Sequence, residues 1–390
     1  MKMTPHEYEA LLPYATETQA KYVRALVANR TYKATAKACG VNESSVTIAL
    51  KALRLSAARV DVEPHLGTTA AEGFEIKGVS SYHKATEEKP AFWLKTSKDA
   101  AQQAQAIKVA IEAMMQDVPK ARKIDPPKLT IENLASLYII TDYHIGMLAW
   151  AEETGAAWDT QIAEDMLFSW FEKAASLAPD SEVGIFGQLG DFLHFDGLDA
   201  VTPTNRHVLD ADTRFDKLVR VAIRVTRRVI NLLLTKHAKV HVIMAEGNHD
   251  LASSAWLRSI FYESYQDNPR VTVDRSPKPY YAFEWGITSL FFHHGHKKNF
   301  GVLDQAFTGM FPEIFGRTKF RYGHSGHLHH SQVKESGLMV MEQHRTLAAP
   351  DAHAARGAWI SERSADVITY SKTCGQISRQ TIPYKMLIDG

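Results

Sequence analysis

Five short polar motifs punctuate the chain from Asp142 onward, and most of them close an apolar, strand-like run. In order they are Asp142-Tyr143-His144, Gly190-Asp191, Gly247-Asn248-His249-Asp250, His294-Gly295 and Gly326-His327-Leu328-His329. Each is common by itself. Together they constrain the fold, because strand ends set side by side would bring all five to one rim, where loops meet and ligands bind. Histidine follows the same distribution: of 18 in the chain, only His6, His65 and His83 precede Asp142.

The spacing between motifs supports that arrangement. LYIITD reads as a buried strand, Thr160–Leu177 as a helix and VGIFGQLGD as a strand. Asp212–Lys236 follows as a long helix, VHVIMAEGNHD as a strand and Ala252–Tyr265 as a further helix. The runs VTVD, YYAFEW, ITSLFFHHG, LMVME and VITYS come after. Strands alternating with helices, then more strands, predict an α/β sandwich with helices outside paired sheets.

The residue types point to metals. Two divalent ions about 3.5–4 Å apart polarise a phosphoryl group and generate a nucleophile from water. One carboxylate must bridge them, and Asp191 is the natural bridge. Carboxylates mixed with neutral imidazoles suit manganese, iron, zinc, nickel or magnesium, with manganese favoured. In Asp142-Tyr143-His144 and His327-Leu328-His329, alternation along an extended segment would send both ligands one way and the middle residue the other. Near Gly295, His293 and His296 compete with His294; the run SLFFH followed by His-Gly favours His294.

These motifs resemble those of the calcineurin-like metallophosphoesterase superfamily, over roughly Leu134 to His330. The resemblance implies a four-layer α/β/β/α sandwich. It implies a first metal on Asp142, His144, Asp191 and His329, and a second on Asp191, Asn248, His294 and His327. It makes His249 a catalytic residue that contacts the scissile phosphate or its leaving group. Asp250 is expected to orient His249, as carboxylates behind a working imidazole often do. Protein phosphatases of the superfamily carry an arginine soon after the second motif and end the third in Glu. Here Phe192-Leu193-His194 follows Asp191, and the third motif ends in Asp250. A Gly-Asp-x-x-His arrangement is similar to the SbcD-like DNA-repair nucleases, which gives His194 a role in orienting the catalytic histidine or the DNA. A long C-terminal capping region like theirs is not evident.

The N-terminal stretch has a different character. Residues 1–59 hold nine Lys/Arg against four acids, a local excess of +5 in a chain whose net charge is +1. Glu17–Asn29 and Tyr32–Cys39 read as helices, Gly40 as a turn, and Glu43 to about Leu55 as a third helix capped by Asn42. The pattern resembles helix-turn-helix modules of bacterial and phage proteins. It would place Asn42, Ser44, Ser45 and Thr47 at base edges and Lys51 and Arg54 on phosphates. The expected organisation is residues 1–60 as this DNA-binding module, 61–130 as hairpin, helix and linker, and 131–390 as the metallophosphoesterase domain. DNA is the expected partner. The alternatives are a phosphodiesterase or phosphatase for a small nucleotide, and a DNA-binding regulator with a weakly active phosphoesterase domain. Self-association into a homo-oligomer is left open.

Apolar residues make up 45% and charged residues 23% of the chain, ordinary for a globular protein. No run of 18 apolar residues occurs, so no membrane span is expected. The N-terminus lacks a signal-peptide core and the chain has only two cysteines, so a reducing, cytoplasmic setting is expected.

Overall fold

The computed structural model describes residues 5–53, 80–83, 92–95, 124–203 and 205–388. The chain divides into two compact units, Met1–Ser97 and Lys98–Gly390. The helix and most of the linker expected within residues 61–130, and Arg54, lie outside the described residues.

In the first unit, helices Pro5–Glu9, Glu17–Asn29 and Tyr32–Cys39 are followed by a helix over residues 43–53. Thr16 and Gln19 form a reciprocal capping box at the start of Glu17–Asn29, and Thr31 caps the next helix. Gly40 ends that helix in the left-handed region, at φ 69°, where a residue without Cβ is cheapest. Tyr8, Val23, Leu26, Ala36, Val46, Leu50 and Leu53 form a shared apolar core. Asn42, Ser44, Ser45, Thr47 and Lys51 are all exposed, away from that core. Strands β1 (Ser80–His83) and β2 (Phe92–Lys95) pair antiparallel, as the expected hairpin requires.

The second unit holds two sheets. The larger contains β3 (Ile131–Ile140), β4 (Ser181–Gln188), β5 (Lys239–Met244), β6 (Val271–Val273), β12 (Ser364–Ser371) and β13 (Gly375–Pro383), in the order β13-β12-β3-β4-β5-β6. The smaller contains β7 (Tyr281–Trp285), β8 (Thr288–Phe292), β9 (Phe320–Ser325), β10 (Gln332–Glu335) and β11 (Val340–Gln343), in the order β10-β11-β9-β8-β7. From β3 to β6 the pairing is parallel, which requires crossover helices. Thr160–Leu177, Phe215–Lys236 and Leu251–Tyr265 supply them.

Alternation along the strands sorts the core into layers. Leu137 and Ile139 of β3 face Leu290 and Phe292 of β8 within one apolar cluster between the sheets. Tyr138 and Ile140 belong instead to the cluster with the three crossover helices. On the far side, Phe291 of β8 packs with Phe307 of the helix Leu303–Met310 and Met341 of β11. The result is the four-layer α/β/β/α sandwich. Among the described residues no helix is long and apolar enough to cross a membrane.

Leu290 is fully buried between the sheets. Leu290→Ala is expected to cost about 2–5 kcal/mol, read as a lower urea midpoint for the second unit.

Candidate metal centre

The parallel strands end at one rim, and their loops are laced together by backbone hydrogen bonds. The segment after β3 donates to the one after β4: Asp142 N to the Gly190 carbonyl (3.0 Å), His144 N to that of Asp191 (3.0 Å) and Ile145 N to that of Phe192 (2.9 Å). Gly326 N donates to the His294 carbonyl at 2.8 Å. Thr346 Oγ1 donates to the Asp142 carbonyl at 2.7 Å.

The carboxylates are fixed the same way. Asp142 Oδ2 accepts from Thr141 Oγ1 (2.6 Å) and from His327 N (2.8 Å). Asp191 Oδ1 accepts from His249 N at 2.8 Å. Two glycines make this closeness possible. A methyl group on Gly247 would overlap Asp191 Oδ1 and its backbone nitrogen, and one on Gly326 would overlap Thr141 Oγ1.

Asp142, His144, Asp191, His327 and His329 have φ of 50°, 49°, 51°, 76° and 56°. They are five of the eight described non-glycine residues in the left-handed region. The expected extended alternation is therefore corrected: tight left-handed bends, not a pleat, turn these donors inward. Tyr143 does point away, buried with its hydroxyl donating to the Ala163 carbonyl at 2.7 Å. Leu328 does not; it is exposed and lines the same cleft as His327 and His329.

The ligating atoms fall into overlapping groups. Asp142, His144 and His329 offer atoms mutually within 4.8 Å, and so do Asp142, Asp191, His294 and His327. Asp142 is common to both groups. His294 is the histidine of its segment that enters the site. His293 turns away, accepting from Gly295 N at 2.8 Å and stacking on Tyr280. The His296 ring lies 5.2 Å from that of His294.

The donors suit divalent metal. His294 Nδ1 donates to the Leu189 carbonyl at 2.9 Å, which leaves its lone pair on Nε2. That nitrogen faces Asp191 Oδ2 at 3.2 Å, Asn248 Oδ1 at 3.2 Å and Asp142 Oδ1 at 3.9 Å. A lone pair turned toward three oxygens is repulsive unless a cation lies among them, either a proton or a metal ion. Asp142 Oδ1 is buried and lies 3.1 Å from His329 Nε2, yet lacks the alignment of a hydrogen bond. Burial disfavours a charged His294, but Asp191 and Asp142 outweigh it and push the ring up to about 9. Burial, reinforced by His249, pushes His144 down to about 3, so its imidazole is neutral and able to ligate.

The catalytic candidates sit beside this cluster. His249 Nδ1 donates to the His194 carbonyl at 2.8 Å, leaving Nε2 as the free nitrogen. The His194 ring stacks on that of His249 at 5.6 Å, and its Nδ1 lies 3.3 Å from His144 Nδ1. Asp250 does not hold the His249 ring as expected. Its carboxylate accepts from Gly247 N (2.9 Å), Phe192 N (2.7 Å), Leu193 N (3.2 Å) and Asp191 N (3.3 Å). It clamps the loop that carries Asp191. Burial, with Asp191 and Asp196 nearby, pushes its carboxyl up to about 7 against those four donors.

A cleft of about 660 Å³ opens over the cluster. His144, Asp191, Asn248, His249, His327 and His329 line one side. Residues from the 346–363 segment line the other, including Trp359 and Ile360. The sequence reading missed this wall and the supports Thr141 and Thr346. An apolar Trp-Ile pair within the polar run Arg356–Arg363 was the available signal.

No protein-family model matches the chain, and no curated protein matches it. Three solved structures are similar to it at low identity. A novel archaeal phosphodiesterase is 14% identical with a TM-score of 0.34, over 64% of this chain and 99% of that one. A dimetal phosphatase from Danio rerio is 9% identical with a TM-score of 0.35, over 65% and 100%. The 5'-nucleotidase from Candida albicans SC5314 is 12% identical with a TM-score of 0.31, over 66% and 54%.

Because Gly247 leaves no room for a side chain against Asp191, Gly247→Ala is expected to weaken divalent-metal binding by about tenfold or more. Isothermal titration calorimetry would measure this, with far-ultraviolet circular dichroism unchanged.

Proposed function

We propose that the chain is a two-metal phosphoesterase that hydrolyses phosphodiester bonds, and that its substrate is DNA. One observation carries the chemistry: Asp142, His144, Asp191, Asn248, His294, His327 and His329 gather in one cluster, five of them lining the cleft above it. Asp191 and Asn248 complete the set beside the imidazoles, and manganese is the metal that this mixture of donors favours.

A bound pair of metal ions would supply Lewis acidity at the phosphoryl oxygens and a lowered pKa for water. The protein's own contribution lies beside that. The His249 backbone holds Asp191 while its Nδ1–H is committed to the His194 carbonyl. Its Nε2 is therefore the nitrogen available to a phosphate oxygen or a leaving group. His194 fixes this orientation from behind through its carbonyl and its stacked ring. Asp250 keeps the Asp191 loop in place.

The nuclease reading draws on the N-terminal unit. Ser44, Ser45, Thr47 and Lys51 are exposed on the helix over residues 43–53 and Asn42 is exposed just before it, a set suited to a DNA groove and its phosphates. One observation favours the small-nucleotide alternative: a cleft of about 660 Å³ is in the range that encloses a small ligand.

Manganese-supplemented protein would be given linear duplex DNA, single-stranded DNA and bis-p-nitrophenyl phosphate. Cleavage of the small ester alone would overturn the nuclease reading. Asp191→Ala and His249→Ala are each expected to lower turnover by about 10²-fold or more. Only Asp191→Ala should also lose metal by calorimetry. In gel shifts with the full chain, Lys51→Glu should weaken binding on every DNA sequence and lower the salt dependence by about one ion.

A further inference from the structure

We propose that Trp359 is a stacking platform for the base of a nucleotide whose phosphate lies at the metal cluster; this rests on the phosphoesterase reading and names its substrate class. Trp359 is 62% exposed and its neighbour Ile360 is 94% exposed, yet both line the cleft that contains His249, His327 and His329. Apolar surface of this size at a cleft wall is a binding feature more often than a solvent-facing one.

The segment is held in place. Asp351 caps the helix Ala352–Arg356 through Ala354 N, and Trp359 N donates to the Ala354 carbonyl at 3.0 Å. Arg356 pairs with Glu153 at 3.1 Å. Arg363, at the far end, donates to the Leu347 carbonyl at 2.8 Å and lies over the Tyr384 ring at 4.2 Å. The indole itself lies against Gly357, where a methyl group would come within 2.9 Å of the ring, and against the His353 ring, edge to face at 4.9 Å. An indole set in advance loses little freedom when a flat ligand stacks on it.

The chemistry of the wall selects the ligand. An alkyl chain needs apolar surface alone. Here Ser361 and Glu362 line the cleft beside Trp359, supplying a hydroxyl and a carboxylate for the edge of a heterocycle. A nucleobase has both the flat face and the polar edge. It belongs either to the terminal nucleotide of a strand or to a small nucleotide ester.

The test compares thymidine 5'-(p-nitrophenyl phosphate) with methyl p-nitrophenyl phosphate, using full-length, manganese-supplemented protein. Trp359→Ala is expected to raise KM for the thymidine ester by about tenfold, with kcat and the methyl ester nearly unchanged. Trp359→Phe should retain most of the affinity, and Gly357→Val, which displaces the indole, should reproduce the loss. The same variants on a single-stranded oligonucleotide separate the two sources. Loss on both substrates marks a strand-end site, and loss on the ester alone marks a small-nucleotide site. Equal effects on the thymidine and methyl esters, or none on either, would overturn the platform. Binding is read independently of turnover by titrating thymidine 5'-monophosphate against tryptophan fluorescence. Quenching in the wild type that is lost in Trp359→Phe supports the platform, even if no ester is hydrolysed and the phosphoesterase reading falls. Quenching unchanged in the variant overturns it.

Discussion

Everything at the rim depends on gathering electron-rich atoms that repel one another. Oxygens of Asp142, Asp191 and Asn248 surround the Nε2 of His294, whose Nδ1–H is committed to the Leu189 carbonyl, so that a proton or a metal ion must lie among them. Left free, such side chains would swing apart into water. The fold prevents this by spending backbone N–H groups on the carboxylates and by placing glycine where any side chain would intrude. Asp142 is held by His327 N and Asp191 by His249 N, so each carboxylate is anchored by the motif of another ligand. The motifs therefore stand or fall together: the loop that presents one donor restrains the next.

That interdependence explains the position of Asp250. A carboxylate accepting four backbone N–H groups is a structural staple, and its targets are Gly247 and residues 191–193. It joins the second motif to the third. His194 works through its carbonyl as much as through its ring. The sandwich beneath provides the fixed spacing, since neighbouring parallel strands set the distance at which their loops meet.

Much of this was legible in the sequence because the signals were local. The apolar runs before Asp142, Asp191 and Asn248 are strands, and Thr160–Leu177 was read to the residue. His294 was separable from His293 by its place after SLFFH. Gly40 marked the turn between the N-terminal helices, whereas the caps Thr16 and Thr31 went unread. What escaped was nonlocal. β9, β10 and β13 are short or only partly buried, so their pattern is weak. Backbone handedness at Asp142 and His329 leaves no trace in hydrophobic periodicity. The targets of Asp250 depend on a carboxylate reaching a loop 58 residues away, which no spacing rule anticipates. The cleft wall at Trp359 lies beyond the last motif and becomes a neighbour of the site only through folding.

The left-handed bends have a consequence for how such a rim could change over time. A side chain in that conformation costs about 1 kcal/mol or more relative to its relaxed state, while glycine fits there at little steric expense. Five such positions together represent a sizeable share of the few kcal/mol by which a domain is stable. Aspartate and histidine are among the residues that tolerate this geometry best, so donor chemistry and backbone shape favour the same side chains. A lineage released from the need for those donors would drift toward glycine or uncurl the loops. Glycine is thus the substitution this backbone would accept most readily at those five positions, and it is also the one that removes the donor.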